Sequence, residues 1–285
     1  MNVKNLLLFL VALLPAALLS GCSLLPGRIT GEVYPDAQQY QWGNFSYQAD
    51  EVHTVRLHWR SGAVEIVESD ESELTVRESG DALSQEESMH YRIENGILDI
   101  YFCASGASLR LRPTGKHLTL QVPQGISLSV STTSAPVQAA ALHQKDILLA
   151  AFSGGLQLGR VEAEQLDLST SSGTIQAEHI AAQQLSCAST SGAVELAAAA
   201  EEMKVTTSSG SVRLALTAPT DASIRTSSAD VQLQLPDTGA QLAFSGSSGR
   251  LRTQLPFSRK GDLYVFGSGE SAITVNTASG GLKIF

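Results

Sequence analysis

Nine of the Ser-Gly or Ser-Ala pairs in this sequence share one set of surroundings, and those surroundings leave few folds open. The pairs are Ser61-Gly62, Ser134-Ala135, Ser153-Gly154, Ser172-Gly173, Ser191-Gly192, Ser209-Gly210, Ser228-Ala229, Ser248-Gly249 and Ser279-Gly280. From Ala135 to Ala229 the steps are 19, 19, 19, 18 and 19 residues. A regular step of that length marks the coil of a solenoid, because one such unit cannot hide its own apolar face and must stack on the next.

Positions around each pair obey one rule. With the Gly or Ala as zero, the four positions minus seven, minus five, plus two and plus four give 36 slots over nine pairs, and 35 are apolar, Thr253 being the exception. The chain's 43% apolar content would fill about 15 of them by chance. Position plus three, between two apolar neighbours, is polar every time: Glu65, Gln138, Gln157, Gln176, Glu195, Arg213, Gln232, Arg252 and Lys283. Alternation with period two is the mark of a strand with one buried face. The expected fold is all-β, a parallel β-helix-like solenoid of about 19 residues per coil, each coil being strand, corner, strand and returning turn.

The corner chemistry has its own expectations. Gly removes side-chain clash at the bend and permits positive φ. The Ser hydroxyl is placed to bond the turn backbone. Position minus three points inward by parity and holds Thr132, Thr170, Ser189, Thr207, Thr226 and Thr277, with Trp59 as the one large residue. Such inward hydroxyls need partners from the bending backbone. Cys187 occupies a column otherwise filled by Val130, Leu149, Leu168, Val205 and Ile224, so a buried, unpaired thiol is expected there rather than a bond to Cys103.

Outside the register, residues 1–21 carry Lys4, an apolar run from Leu6 to Leu19, and then Leu19-Ser20-Gly21-Cys22. The run has signal-peptide length and is short of the roughly 20 residues a membrane span needs. The last four residues resemble a bacterial lipobox. That resemblance implies lipid on the Cys22 thiol, cleavage before it, and attachment of the mature chain to a membrane. Residues 22–50 read as a tether that docks Trp42, Phe45 and Tyr47 on the first coil, and 51–285 as the repeat domain. Residues 67–127 contain strands without a corner, and 254–272 form an excursion before the coil at Ser279-Gly280.

Ser-Gly corners between short strands behind a lipobox resemble the bacterial putative-adhesin β-strand-repeat family, a family without an assigned active site. The resemblance implies an envelope-facing solenoid and no catalytic residues.

The residues themselves point the same way. Nine equivalent serines are not one activated nucleophile, and none sits in a Gly-x-Ser-x-Gly elbow. Six scattered histidines and no Cys-x-x-Cys give no metal spacing, and Gly267-Ser268-Gly269 is too short for a nucleotide loop. No metal or cofactor is expected. A net charge of -9 without a basic stripe argues against nucleic acid. The longest basic cluster, Arg110, Arg112, Lys116 and His117, reads as a solvated strand face. The expected function is a non-catalytic envelope scaffold that binds glycan or a surface protein. A polysaccharide-acting enzyme on a β-helix, which would need carboxylates converging in one groove, and an envelope-stress sensor remain as alternatives.

Overall fold

A computed structural model describes residues 28–80, 83–110 and 115–285. The signal segment and the expected lipid site Cys22 lie outside the described residues. Almost all regular structure is β, joined into one large sheet that winds as a solenoid. Strands pair in parallel from coil to coil at constant offset: Val137 opposite Leu156, Leu156 opposite Ile175, Ile175 opposite Val194. Residues that mirror each other around a corner do not pair, so the corners are not hairpin turns.

Each repeat is longer-stranded than expected. Val137–Ala151, Leu156–Thr170 and Ile175–Ser189 are single strands of 15 residues that run from one corner to the next. The returning turn is replaced by two bends inside the strand. Inward parity shows them. Leu156 and Leu158 face the core, then Val161, then Leu166, Leu168 and Thr170, so parity flips twice. Coil-to-coil pairing skips Ala140/Gly159 and Lys145/Glu164 at those flips. A coil therefore has three sides: one after the corner, a short middle one, and one before the next corner. The single 18-residue step comes from one residue lost at the first bend, where Ala177 faces Leu196 but Ile180 faces Ala198.

The interior is a continuous apolar stack. Of the 35 apolar column residues only Phe244 and Leu251 are not fully buried. Both belong to the coil that closes one end, as does Thr253, the one polar residue of the columns. Burying a side chain of this kind stabilises by roughly 1.5–3 kcal/mol, so the stack supplies the main cohesion between coils. Cys103 and Cys187 are buried free thiols, each pushed up to about 12 by burial.

The corner works differently from the expectation in two respects. The inward hydroxyl at minus three closes it. Thr132 Oγ1 donates to the Ala135 carbonyl at 2.8 Å and Ser189 Oγ to that of Gly192 at 2.7 Å, while the Gly173 and Gly280 amides donate to Thr170 and Thr277. The corner Ser instead reaches the coil before it in the stack: Ser153 Oγ donates to the Thr133 carbonyl and Ser209 Oγ to that of Thr190. The repeat glycines are also not there for positive φ, which among the corner glycines only Gly62 adopts. They are there for close approach. A Cβ on Gly154, Gly173, Gly192 or Gly210 would lie 1.7–2.0 Å from the carbonyl oxygen of the preceding corner.

Coil order in space departs from chain order at both ends. Strand Thr54–Trp59 lies between Ile97–Tyr101 and Ser127–Thr132, so the coil of residues 54–69 is second and the one built from 97–101 and 117–123 is first. At the far end, Ser271–Thr277 lies between Asp221–Thr226 and Gly239–Gly246. The coil at Ser279-Gly280 is thus ninth, and that at Ser248-Gly249 is tenth and outermost. The excursion 254–272 holds the hairpin Ser258–Lys260 and Leu263–Gly267, which runs antiparallel along the tenth coil. Residues 28–50, read as a tether, contribute short strands at the first-coil end: Phe45–Gln48 pairs with Glu73–Ser79, and Phe45 stacks on Tyr91 at 3.7 Å. Trp42 stays 53% exposed.

The basic cluster expected on a solvated face divides. His117 is exposed, but Lys116 is 1% exposed. Pairing of His117 with Ala63 puts Lys116 level with Gly62, at position zero of the cornerless first coil. With no Ser-Gly bend to carry the chain round, its side chain turns into the end of the core. Its ammonium meets Glu78 Oε1 at 2.5 Å, donates to the carbonyls of Glu87 and Phe102, and lies over the Phe102 and Trp59 rings. Burial pulls it down to about 7. The side chains of Arg110 and Arg112 lie outside what is described.

Candidate binding face

The plus-three residues form the most regular surface of the molecule. Parallel register places ten outward side chains in one row: Thr119, Glu65, Gln138, Gln157, Gln176, Glu195, Arg213, Gln232, Lys283 and Arg252. Neighbours are about 4.8 Å apart, the spacing of paired strands. Gln138 Nε2 donates to Gln157 Oε1 at 3.3 Å, the first rung of a Gln ladder. Beside the row runs a shallow groove of about 330 Å³ with a floor of Ala177, Leu196, Ala197, Leu214 and Ala215. Small residues at plus five, Ala197 and Ala215, leave the space, while Gln234 and Phe285 bound it.

The side before the corner carries a second groove, of about 470 Å³, lined by three carboxylates: Asp167, Glu202 and Asp221. This is the arrangement a hydrolase on a β-helix would start from, and the sequence pattern did not reveal it. Two of the three already serve the frame. Asp167 accepts a hydrogen bond from Gln165 Nε2 at 2.8 Å and Asp221 one from the Ala272 amide at 2.9 Å. Lys204 lines the same groove.

The middle side carries a charged chain that the sequence also did not reveal. His143 Nδ1 lies 2.6 Å from Glu68 Oε1 and its Nε2 lies 3.3 Å from Glu162 Oε1, which is 3.7 Å from Arg160. Hydrogen bonding to Glu68 raises the imidazole above its ordinary range. Glu68 also accepts the His143 backbone amide, so its carboxylate joins the second coil to the third. At the first-coil end, Tyr101 stacks between Tyr34 at 3.9 Å and His58 at 4.5 Å. Burial lowers His58 and raises both phenols. Among the described residues no three His, Cys, Asp or Glu side chains are grouped to hold a metal ion.

The fold and these surfaces define a β-solenoid whose flat sides present repeated polar rows. The chain belongs to the Toastrack DUF4097 family, whose sequence pattern matches residues 52–284. No curated protein matches it. Among solved structures it is similar to a putative adhesin from Parabacteroides merdae, at 15% identity over 86% of this chain and 96% of that one, with a TM-score of 0.48. It is also similar to a putative adhesin from Bacteroides fragilis (10% identity, 86% and 97% covered, TM-score 0.38) and to a putative lipid binding protein from Parabacteroides distasonis (16%, 85% and 96%, 0.43).

Proposed function

We propose that this protein is a non-catalytic binding scaffold of the bacterial envelope, held to a membrane by lipid on Cys22 and presenting its plus-three side to glycan or to a surface protein. The observation that carries the reading is the row of ten outward side chains on a frame of stacked strands, with an open groove beside it. A side chain on a packed strand is already ordered, so a ligand meets a preformed array and little entropy is lost in assembling it.

Two experiments test it. Cys22→Ala should leave the protein soluble or as an uncleaved precursor, and normal processing with membrane retention would refute the anchor. A glycan and cell-wall array probed with the protein lacking residues 1–22 should give binding that plus-three substitutions weaken. The carboxylate groove favours one second reading, a polysaccharide-acting enzyme. Glu202, the carboxylate there without a frame partner, would then be essential, and Glu202→Gln would abolish cleavage of a bound polysaccharide.

A further inference from the structure

The plus-three row changes character along its length. Up to the sixth coil it is Thr119, Glu65, three glutamines and Glu195. From the seventh to the tenth it is Arg213, Gln232, Lys283 and Arg252. That is three cations on four successive coils, in a chain whose net charge is -9. Two of them meet because of the swapped coil order: Lys283 and Arg252 are neighbours only because the ninth coil inserts before the tenth.

Among the described residues these cations are not spent on the fold: Arg213, Arg252 and Lys283 are exposed and join no ion pair there. Lys283 lies 5.9 Å from the centre of the Phe285 ring. Arg250 adds a further exposed cation at the corner of the tenth coil. Asp230, a carboxylate at the corner of the eighth coil, accepts the Gly281 amide at 2.7 Å. Unpaired cations in a row raise the local potential and draw an anion with charges spaced along a line.

The surroundings narrow the anion. The Phe285 ring is 46% exposed and closes one end of the groove floored by Leu196, Ala197, Leu214 and Ala215. An exposed ring offers an apolar face to a sugar ring, and the amides of Gln232 and Gln234 can donate to and accept from hydroxyls. A membrane surface fits less well. The proposed lipid site Cys22 lies six residues before Arg28, which pairs with Arg110 at the first-coil end, and the cationic coils begin six coil steps from there, about 29 Å at strand spacing.

We infer that the plus-three side of coils seven to ten binds a linear polyanionic glycan, through Arg213, Lys283 and Arg252 with Phe285 as a stacking platform. This rests on the scaffold reading above and names its ligand class. The test uses polygalacturonate, which carries one carboxylate on every sugar, and its methyl-esterified, uncharged form as probes of the protein lacking residues 1–22. The expected result is salt-sensitive binding of polygalacturonate, at least tenfold weaker binding of the ester, and at least tenfold loss in the triple variant Arg213→Gln/Lys283→Gln/Arg252→Gln. The variant Lys145→Gln/Arg225→Gln, away from the plus-three side, should bind like the parent. All five positions are exposed, and unchanged thermal unfolding checks the fold. Equal binding of both polymers, unaffected by the triple variant, would overturn this inference and leave the scaffold reading standing. Failure to bind either polymer would overturn it too. Binding of anionic phosphatidylglycerol vesicles in place of polygalacturonate would make the occupant a lipid surface, and dimerisation abolished by the triple variant would make it a second copy. Either result would refute the glycan.

Discussion

Two adjacent glycines in one corner should respond unequally to the same substitution. A Cβ on Gly154 would stand 2.0 Å from the Ala135 carbonyl oxygen, and one on Gly155 would stand 3.3 Å from that of Thr174. The first contact cannot be relieved by a rotamer, because both partners are backbone. The corner must lift by more than 1 Å from the coil below, loosening the Phe152 amide to Thr132 carbonyl bond of 2.9 Å and the Ser153 amide to Thr133 carbonyl bond of 2.8 Å. Overpacking costs about 1–3 kcal/mol, and two weakened hydrogen bonds add about 0.5–1.5 kcal/mol each. Gly154→Ala should therefore destabilise by about 2–6 kcal/mol. Gly155 needs no positive φ and the equivalent corners carry Thr174, Ala193 and Ser211, so Gly155→Ala should stay within about 1 kcal/mol of the parent. At about 2–4 °C per kcal/mol for a domain of this size, thermal unfolding should separate the two variants by roughly 2 °C or more, with Gly154→Ala the lower. Equal losses would refute the close-approach account. A loss only in Gly155→Ala would mean that the corners stack in another register.

Three further variants probe other parts of the frame. Ile175→Asp places a charge in the buried plus-two column and should unfold the protein at much lower temperature, whereas Gln176→Asp on the exposed row should cost no more than about 0.5 kcal/mol; denaturant titration compares them. Lys116→Met strands Glu78 in the core end and should cost about 3–5 kcal/mol, while adding Glu78→Gln, which keeps an acceptor for the Met89 amide, should recover most of the loss in the same titration. His143 is raised by Glu68, so its contribution is fully present below the unfolded value of 6.5 and fades as pH rises through the higher folded value. The melting-temperature gap between the parent and His143→Gln should thus be widest near pH 5.5 and close under alkaline conditions.

The columns were legible because each repeats nine times, so that a single misfit such as Thr253 stands out against eight agreements. Legibility fell off where a feature occurs once. The two bends inside each long strand leave no breaker residue, since extended backbone with small side chains such as Ala140 and Gly159 can turn without Pro. They show only as a change of parity, and the stretch between the two corners was too freely polar to make that change visible. Lys116 misled because a lysine at a cornerless coil looks like any surface lysine until its register with Gly62 is known. The His143 chain and the carboxylate groove join residues on different coils, so only the stacking offset brings Glu68 to His143 or Glu202 to Asp221. The cationic end of the plus-three row was present as letters, but Lys283 and Arg252 become neighbours only through the exchanged order of the last two coils.

That exchange governs the order in which the molecule can be completed. A simple solenoid grows as it emerges, each new turn settling on the one before. Here residues 239–253 emerge before the turn on which they rest, and the segment 271–284 must enter between them and residues 221–234. The final stretch of sequence is a keystone, and until it arrives the edge at 231–234 stays open to any extended segment that could pair with it. The same holds in mirror image at the other end, where residues 54–69 wait for partners from 97–123 and 127–139. The far end therefore locks only once residues 271–284 are in place, with segments far apart in sequence brought together.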